Sequence, residues 1–199
     1  RRGNSVQLSV PPPAVFDPVA MPLNRTTVVV GRLEGLGSSL SEGYRGEVNL
    51  GIGPWMAEVA GALDRGFVLT VDYGYAGAET YPPHRAGGTV QTYYRHTRAA
   101  SPYQRVGEQD ITAHVDFSSV VREGEAVGLR PWGLTTQAQY LRGLGLDRWL
   151  GRLRVEDLPQ RERESNAMAM RELVSPDGLG GFKVLVQQKG LGSAGLSRL

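Results

Sequence analysis

The strongest constraint on the fold is an apolar run, Phe67–Val71, which follows Gly66 and ends at Asp72. A helix, a glycine and a strand that is apolar on both faces are together typical of a parallel α/β sheet covered by helices. Because ligands bind at the carboxyl ends of such strands, Asp72 is a candidate ligand-facing residue. The helix upstream is predicted from apolar residues at helical spacing: Trp55, Met56, Val59, Ala60 and Leu63.

The downstream sequence predicts further helices and strands. Asp116 is suited to cap a helix that ends at Gly128. Thr135 or Thr136 is suited to cap the next helix. The two remaining strands of the predicted sheet are Leu129–Leu134 and Phe182–Gln188.

Other segments are irregular or interrupted. The alternating run Val6–Val10 precedes three prolines and predicts an edge strand or a loose lead-in. Thr26–Val30 is β-branched and predicts a strand. Ala76–Gln104, with its paired prolines and glycines, predicts a long functional or mobile loop. The alternating charges of Arg152–Glu164 predict a solvated helix face.

The residues after the apolar run are the first candidate site. Asp72 could face a ligand, or it could cap a turn with Gly74. Tyr73 and Tyr75 could stack on a planar ligand, or they could flank the core. The sequence leaves both alternatives open.

The segment Gly107–Phe117 is the second candidate site, because it places three acids, a histidine and a threonine between apolar residues. Asp110, His114 and Asp116 invite a metal interpretation, but their spacing is not a known ligand signature. Asp116 is more simply explained as a helix N-cap. The segment therefore predicts a structural or positioning network, with no metal.

A third cluster combines aromatic and basic residues at Tyr93, Tyr94, Arg95 and His96. It could contact a substrate, or it could be an alternating strand beside the predicted loop.

Composition excludes several classes of function. The 199 residues carry a net charge of only +2, which gives no basic field for nucleic acid. The absence of cysteine excludes disulfides, thiolate nucleophiles and cysteine-type zinc sites. No apolar run approaches the roughly 20 residues that cross a membrane. The sequence also contains no Walker A or G-x-S-x-G motif. A chain that starts at Arg1 is expected to be a processed product or a fragment.

Three blocks of sequence resemble the MidA family of S-adenosylmethionine-dependent methyltransferases. They are Gly66–Tyr75, Gly88–Thr89 with Tyr94–His96, and Gly107–Phe117. The similarity continues in later blocks, in the family's order: Thr136–Gln137, Tyr140–Leu141 with Gly145, and Phe182–Leu185.

The resemblance implies an α/β fold that is part of a class I, Rossmann-like methyltransferase sheet with a closing antiparallel strand. Phe67–Val71 would be the fifth strand, and the two later strands would be the sixth and seventh. The family's glycine-rich cofactor turn is not found in this sequence, so the resemblance implies a carboxyl-terminal half whose own cofactor-binding residues are unknown. The predicted organisation is a lead-in at 1–50, the methyltransferase part at 51–189 and a flexible tail at 190–199.

The resemblance also implies S-adenosyl-L-methionine as cofactor and a protein arginine as substrate, on a subunit of respiratory complex I in mitochondrial members. The compartment would be the bacterial cytoplasm or the mitochondrial matrix. Because carboxylates orient a guanidinium group, the predicted catalytic residues are Asp72, Glu108 and Asp110. The predicted substrate-binding residues are Tyr73, Gly74, Tyr75, Tyr94, His96 and His114.

Two other functions remain open from sequence. One is a non-catalytic module that binds a partner protein through the aromatic and basic cluster. The other is a metal-dependent hydrolase that would use Asp110, His114 and Asp116.

Overall fold

The structure is a computed structural model, and it describes residues 5–9 and 40–192. The predicted strand Thr26–Val30, the three prolines and the end of the predicted tail lie outside the described residues. The strands are β1 (Ser5–Ser9), β2 (Arg45–Asn49), β3 (Gly66–Asp72), β4 (Gly74–Tyr75), β5 (Gln91–Tyr94), β6 (Thr97–Ala99), β7 (Asp110–Thr112), β8 (Val115–Asp116), β9 (Arg130–Thr136) and β10 (Lys183–Lys189). The helices are α1 (Ile52–Gly61), α2 (Phe117–Ala126), α3 (Gln137–Gly143), α4 (Leu146–Leu153) and α5 (Gln160–Glu172).

The chain forms two compact units that interleave along the sequence. The first unit comprises Arg1–Trp55 and Tyr75–Val120. The second unit comprises Met56–Gly74 and Val121–Leu199.

The first unit is built on small antiparallel sheets. β1 pairs with β2, with Val6 opposite Val48. β5 is the central strand of a second sheet, with β6 on one side and β7 on the other. Tyr44, Val48 and Phe117 are buried and give this unit its apolar core.

The second unit is built on one sheet in the order β3-β10-β9. β10 runs antiparallel to both neighbours, as predicted for the last strand of the chain. Val184, Leu185 and Val186 in this central strand are buried. The parallel pairing that the apolar run predicted for β3 is not found among the described strands, because the neighbour of β3 is β10.

One side of β3 is open. Phe67, Leu69 and Val71 are 42%, 51% and 43% exposed, although all three are apolar. These residues alternate along the strand, so they share one face. The prediction of a strand buried on both faces is therefore wrong for the described residues, since one face of β3 remains uncovered there.

Helix starts follow the predicted caps. Asp116 caps α2 by accepting a hydrogen bond from the Ser119 backbone N–H at 3.1 Å. Thr136 caps α3 in a capping box with Gln139, as the sequence predicted. Within the described ranges, no helix has the length and apolar character needed to span a bilayer.

The predicted loop Ala76–Gln104 contains regular structure. Two short 3-10 turns, Gly77–Glu79 and Pro83–Arg85, are followed by β5 and β6. The aromatic and basic cluster falls on β5 and on the turn after it, so the strand alternative for Tyr93 and Tyr94 is confirmed. The proline and glycine content hid this strand pair because such residues also punctuate tight turns between strands.

Candidate functional site

The first unit contains a polar cavity built around the carboxylate of Glu47 on β2. Its Oε2 atom accepts hydrogen bonds from the Thr89 backbone N–H at 2.8 Å and from the Thr89 hydroxyl at 3.0 Å. The Val90 N–H donates to Oε1 at the longer distance of 3.4 Å. Hydrogen bonds to a charged acceptor are stronger than neutral ones, so these donors hold the carboxylate in one position.

Gly88 allows the Glu47 carboxylate to lie within hydrogen-bonding distance of the Thr89 backbone N–H. Its φ angle is +82°, in the left-handed region that favours glycine. A Cβ atom at this position would lie 2.2 Å from Oε1 of Glu47. Any other residue would therefore displace the carboxylate or the loop.

Thr89 connects Glu47 to the segment before β8. Its hydroxyl donates to Glu47 and accepts a hydrogen bond from the His114 backbone N–H at 3.0 Å. A hydroxyl can do both at once. Thr89 therefore links two stretches of chain that lie 42 and 25 residues away from it in sequence.

Tyr75 gives the cavity an aromatic wall. Its ring centroid lies 5.1 Å from that of His114, and the Arg85 guanidinium carbon lies 3.7 Å from the Tyr75 centroid. This is a cation–π contact. Arg85 also donates to the Glu79 carbonyl at 3.0 Å, so its charge is fixed against the ring.

Two more tyrosines close the cavity. Tyr81 donates its hydroxyl proton to the Glu47 backbone carbonyl at 2.9 Å. Burial raises the pKa of Tyr44, the nearby Arg85 charge opposes this rise, and the Glu47 charge adds to it. Tyr44 is therefore neutral at physiological pH.

The cavity is small. The space open to water inside it is about 20 Å³, which accommodates about one water molecule. The buried Thr80 hydroxyl lines this space and has no hydrogen-bond partner among the described residues. The arrangement suits a bound water and a rigid polar framework.

Of the predicted site residues in the first unit, the structure brings Tyr75 and His114 together at this cavity. Glu108 and Asp110 are exposed and do not line it. Asp110 begins β7, opposite Tyr93 of β5.

The turn after β5 carries backbone strain. Arg95 and His96 have φ angles of +47° and +63°, which are uncommon for residues other than glycine. Both side chains are exposed. The half-buried Tyr94 ring lies 4.5 Å from the Arg105 guanidinium carbon and 5.3 Å from that of Arg95. This region therefore presents an aromatic ring already paired with guanidinium groups.

The remaining predicted residues lie in the second unit. Asp72 is the last residue of β3, and its Oδ1 accepts a hydrogen bond from the Tyr73 N–H at 2.8 Å. The Tyr73 ring packs edge-on against Phe182, with centroids 5.6 Å apart. Gly74 is buried. The Asp72 carboxylate thus contacts the adjacent Tyr73 N–H, and Tyr73 contacts a half-buried aromatic ring.

The metal interpretation has no geometric support. Asp116 uses its carboxylate to cap α2, contacting both the backbone N–H and the hydroxyl of Ser119. Within residues 5–9 and 40–192, no group of three histidine, aspartate or glutamate side chains is arranged to hold a metal ion.

Sequence reasoning did not identify Glu47 or Arg85. Glu47 lies in a five-residue strand with no unusual motif, and its partners come from a distant loop. The available signal was the pair Gly88–Thr89, whose glycine marks a close approach that only the folded chain explains.

Comparison with known proteins identifies related sequences and structures. Residues 15–135 match a family model described as "Putative S-adenosyl-L-methionine-dependent methyltransferase". No curated protein is similar enough to this chain to count as a match.

Two solved structures from Burkholderia thailandensis are similar. One is an uncharacterized ACR superfamily protein, with 28% identity and a TM-score of 0.80 over 96% of this chain and 53% of that one. The other is a member of the same superfamily bound to S-adenosyl-homocysteine, with 31% identity and a TM-score of 0.71 over 84% of this chain and 42% of that one. The chain therefore spans about half the length of these proteins.

Proposed function

The chain belongs to this family of S-adenosyl-L-methionine-dependent methyltransferases, and we propose that it forms the carboxyl-terminal part of an enzyme that methylates a protein arginine. The family match over residues 15–135 carries the methyltransferase assignment. The similar structure bound to S-adenosyl-homocysteine, the demethylated product of the cofactor, supports it.

The sheet of the second unit supports a class I arrangement. The resemblance to the MidA family implies that the fifth, sixth and seventh strands belong to one sheet, which closes with an antiparallel strand. The observed sheet β3-β10-β9, in which β10 is antiparallel to both neighbours, supports this assignment. On this proposal, residues 51–189 form the methyltransferase part of the chain.

S-adenosyl-L-methionine is the cofactor of the family. The cavity at Glu47 does not fit it, because sites for molecules of this size have volumes of about 300–1,000 Å³ and this one offers about 20 Å³ to water. As the resemblance implies, we place the cofactor contacts in the part of the longer relatives that this chain does not cover. The described residues then contribute to the substrate side of the reaction.

The arginine proposal rests on carboxylates and aromatic rings. Asp72 is half-buried at a strand end, whereas Glu108 and Asp110 are exposed and accessible to a substrate protein. In the first unit, the rings of Tyr75 and Tyr94 each hold a guanidinium group of this chain. The same chemistry would hold a substrate arginine, with Tyr73, Gly74, His96 and His114 as further proposed contacts.

The proposed partner is a protein substrate, and the resemblance suggests a subunit of respiratory complex I. The compartment would then be the mitochondrial matrix or the bacterial cytoplasm. In either case the enzyme mainly supplies proximity and alignment of the guanidinium nitrogen with the methyl group.

The test is methyl transfer from radiolabelled S-adenosyl-L-methionine to an arginine-containing protein, with the chain extended to the length of its relatives. Asp72→Asn and Asp110→Asn should each lower kcat at least about tenfold, as expected when an orienting hydrogen bond is lost. Asp147→Asn, an exposed acid on α4, is the matched control. Full activity in both variants would exclude Asp72 and Asp110 as groups that orient the substrate. If the extended chain did not bind the cofactor, the methyltransferase assignment itself would be contradicted.

A second candidate function is a partner-binding module, which the exposed apolar residues of the first unit favour. Tyr103, Val106 and Ile111 are 82%, 85% and 60% exposed. Calorimetry of cofactor binding with this chain and with the extended chain separates the two functions. Methyltransferase function requires binding by the extended chain, whereas a pure binding module requires none by either.

A further inference from the structure

The second unit contains a separate cleft between α4 and α5. At one end the two helices close on an apolar cluster of buried Ala138, Leu146 and Val174, with half-buried Leu150 and Met170 packed against it. Beside this cluster, with Leu150 shared between the two, the helices leave an open cleft of about 510 Å³. That volume lies within the range of small-molecule sites.

Three of the residues that line the cleft are apolar. Leu150 and Leu153 of α4 face it from one side, and Ala167 of α5 faces it from the other. All three are half-buried. The short side chain of Ala167 leaves space that a larger residue at this helical position would fill.

The rim of the cleft is cationic. Arg154, Arg163 and Arg171 line it together with one acid, Glu164, which leaves an excess of two positive charges. Glu164 accepts a hydrogen bond from the Gln160 side chain at 2.8 Å. In the described part of the chain, none of the three arginines forms an ion pair.

Arg163 is held in place at this rim. It is half-buried and donates to the Glu156 backbone carbonyl at 3.3 Å. Guanidinium groups bind carboxylates and phosphates through paired hydrogen bonds. Three of them beside an apolar wall, with no carboxylate partner among residues 5–9 and 40–192, are complementary to an anion that also carries apolar surface.

We propose that the cleft between α4 and α5 binds a small organic anion, with a carboxylate or phosphate group at the arginines and an apolar body against Leu150, Leu153 and Ala167. The proposal is independent of the proposed methyltransferase function. It adds a binding role for part of Arg152–Glu164, which the sequence predicts to be a solvated helix face and most of which is exposed. The cleft volume of about 510 Å³ suits a small molecule.

Calorimetry on the full 199-residue chain tests the proposal, with octyl phosphate below its micelle concentration as the probe. Octyl phosphate should bind at one site per chain. Inorganic phosphate and 1-octanol, which each supply one half of the chemistry, should bind at least about tenfold more weakly. Equal binding by either half-probe would overturn the proposal, as would binding to anionic phospholipid vesicles without binding of octyl phosphate.

Three variants locate the site. Arg163→Gln should weaken octyl phosphate binding about tenfold, because it removes a charge-assisted hydrogen bond. Ala167→Leu should weaken it at least as much by filling the cleft, and far-UV circular dichroism should show that this variant remains folded. Arg161→Gln, on the same turn but not lining the cleft, should bind like the unaltered chain. If Arg161→Gln weakened binding as much as Arg163→Gln, binding would reflect general charge and the cleft assignment would be wrong.

Discussion

The cavity at Glu47 and the cleft between α4 and α5 differ in whether their charged side chains have partners within the chain. Glu47 is surrounded by donors from Thr89 and Val90, and the space beside it holds about one water molecule. The arginines of the cleft face about 510 Å³ of open space and form no ion pair among the described residues. A charge whose hydrogen bonds are satisfied by its own chain stabilises the fold, whereas an unpaired charge beside open space is available to a ligand.

The comparison therefore predicts opposite consequences of mutation. Changes at the Glu47 cavity should affect stability strongly. Changes at the cleft should affect stability little and affect binding instead.

Gly88→Ala should have the largest effect. The new Cβ would overlap the Glu47 carboxylate, and the residue would keep a positive φ angle. We expect a loss of about 3 kcal/mol in the free energy of unfolding, measured by urea denaturation. Gly87→Ala is the matched control, because a Cβ there meets no atom within 4 Å. Equal stability of the two variants would show that Glu47 does not constrain this loop.

Glu47→Gln should have the next largest effect. The neutral amide cannot accept hydrogen bonds from Thr89 as strongly as the carboxylate does. We expect a loss of about 2 kcal/mol in the free energy of unfolding. Glu42→Gln, in an exposed turn, controls for the loss of a charge and should change stability very little. If the free energy of unfolding of Glu47→Gln fell by less than the experimental error, the Glu47 cavity would not differ from the cleft in its importance for stability.

Arg163→Gln should have a small effect of the opposite sign. It relieves repulsion at the cleft rim and removes a cation from the first turn of α5, where the helix dipole disfavours it. We expect a gain of about 0.5 kcal/mol at low ionic strength. Arg161→Gln lies in the same turn outside the cleft and measures the dipole contribution alone. A loss of stability for Arg163→Gln would mean that this arginine supports the fold and is not held for a ligand.

Tyr44 gives the smallest expected effect, which depends on pH. Because burial raises its pKa above the usual tyrosine value of 10.0, the unfolded chain loses the Tyr44 hydroxyl proton at a lower pH than the folded chain does. The stability contribution of Tyr44 is therefore complete below pH 10 and falls as pH rises toward the folded-state pKa. Tyr44→Phe should weaken the alkaline loss of stability, whereas Tyr103→Phe, at an exposed position, should not. Parallel pH profiles for the two variants would contradict the burial of the Tyr44 hydroxyl.

Much of the secondary structure could be predicted from the sequence, because its signals are local. The apolar run of β3, the Asp116 cap and the Thr136 cap each depend on residues within a few positions of one another. The predictions that failed concern burial and pairing. An apolar run does not specify its neighbour in the sheet, and for β3 that neighbour is an antiparallel strand more than 100 residues downstream.

The residues of the candidate site also divide into those that local sequence identifies and those that depend on long-range contacts. Tyr75 and His114 were identified because aromatic and polar residues crowd into two short segments, and the fold places their rings 5.1 Å apart. Glu47 was not identified, since its position depends on Thr89, which lies 42 residues downstream. The roles proposed for Asp72, Glu108 and Asp110 in the reaction remain predictions.

The sequence by itself determined α1, the strands β3, β9 and β10, the helix caps and a resemblance to one methyltransferase family, because these depend on local periodicity and on contiguous motifs. Only the tertiary structure decided which charges are paired and which are not. Glu47 and Arg163 look alike in the sequence, as charged residues in elements of mixed polarity. Their difference arises from long-range packing, which brings backbone donors to the first and leaves open space beside the second.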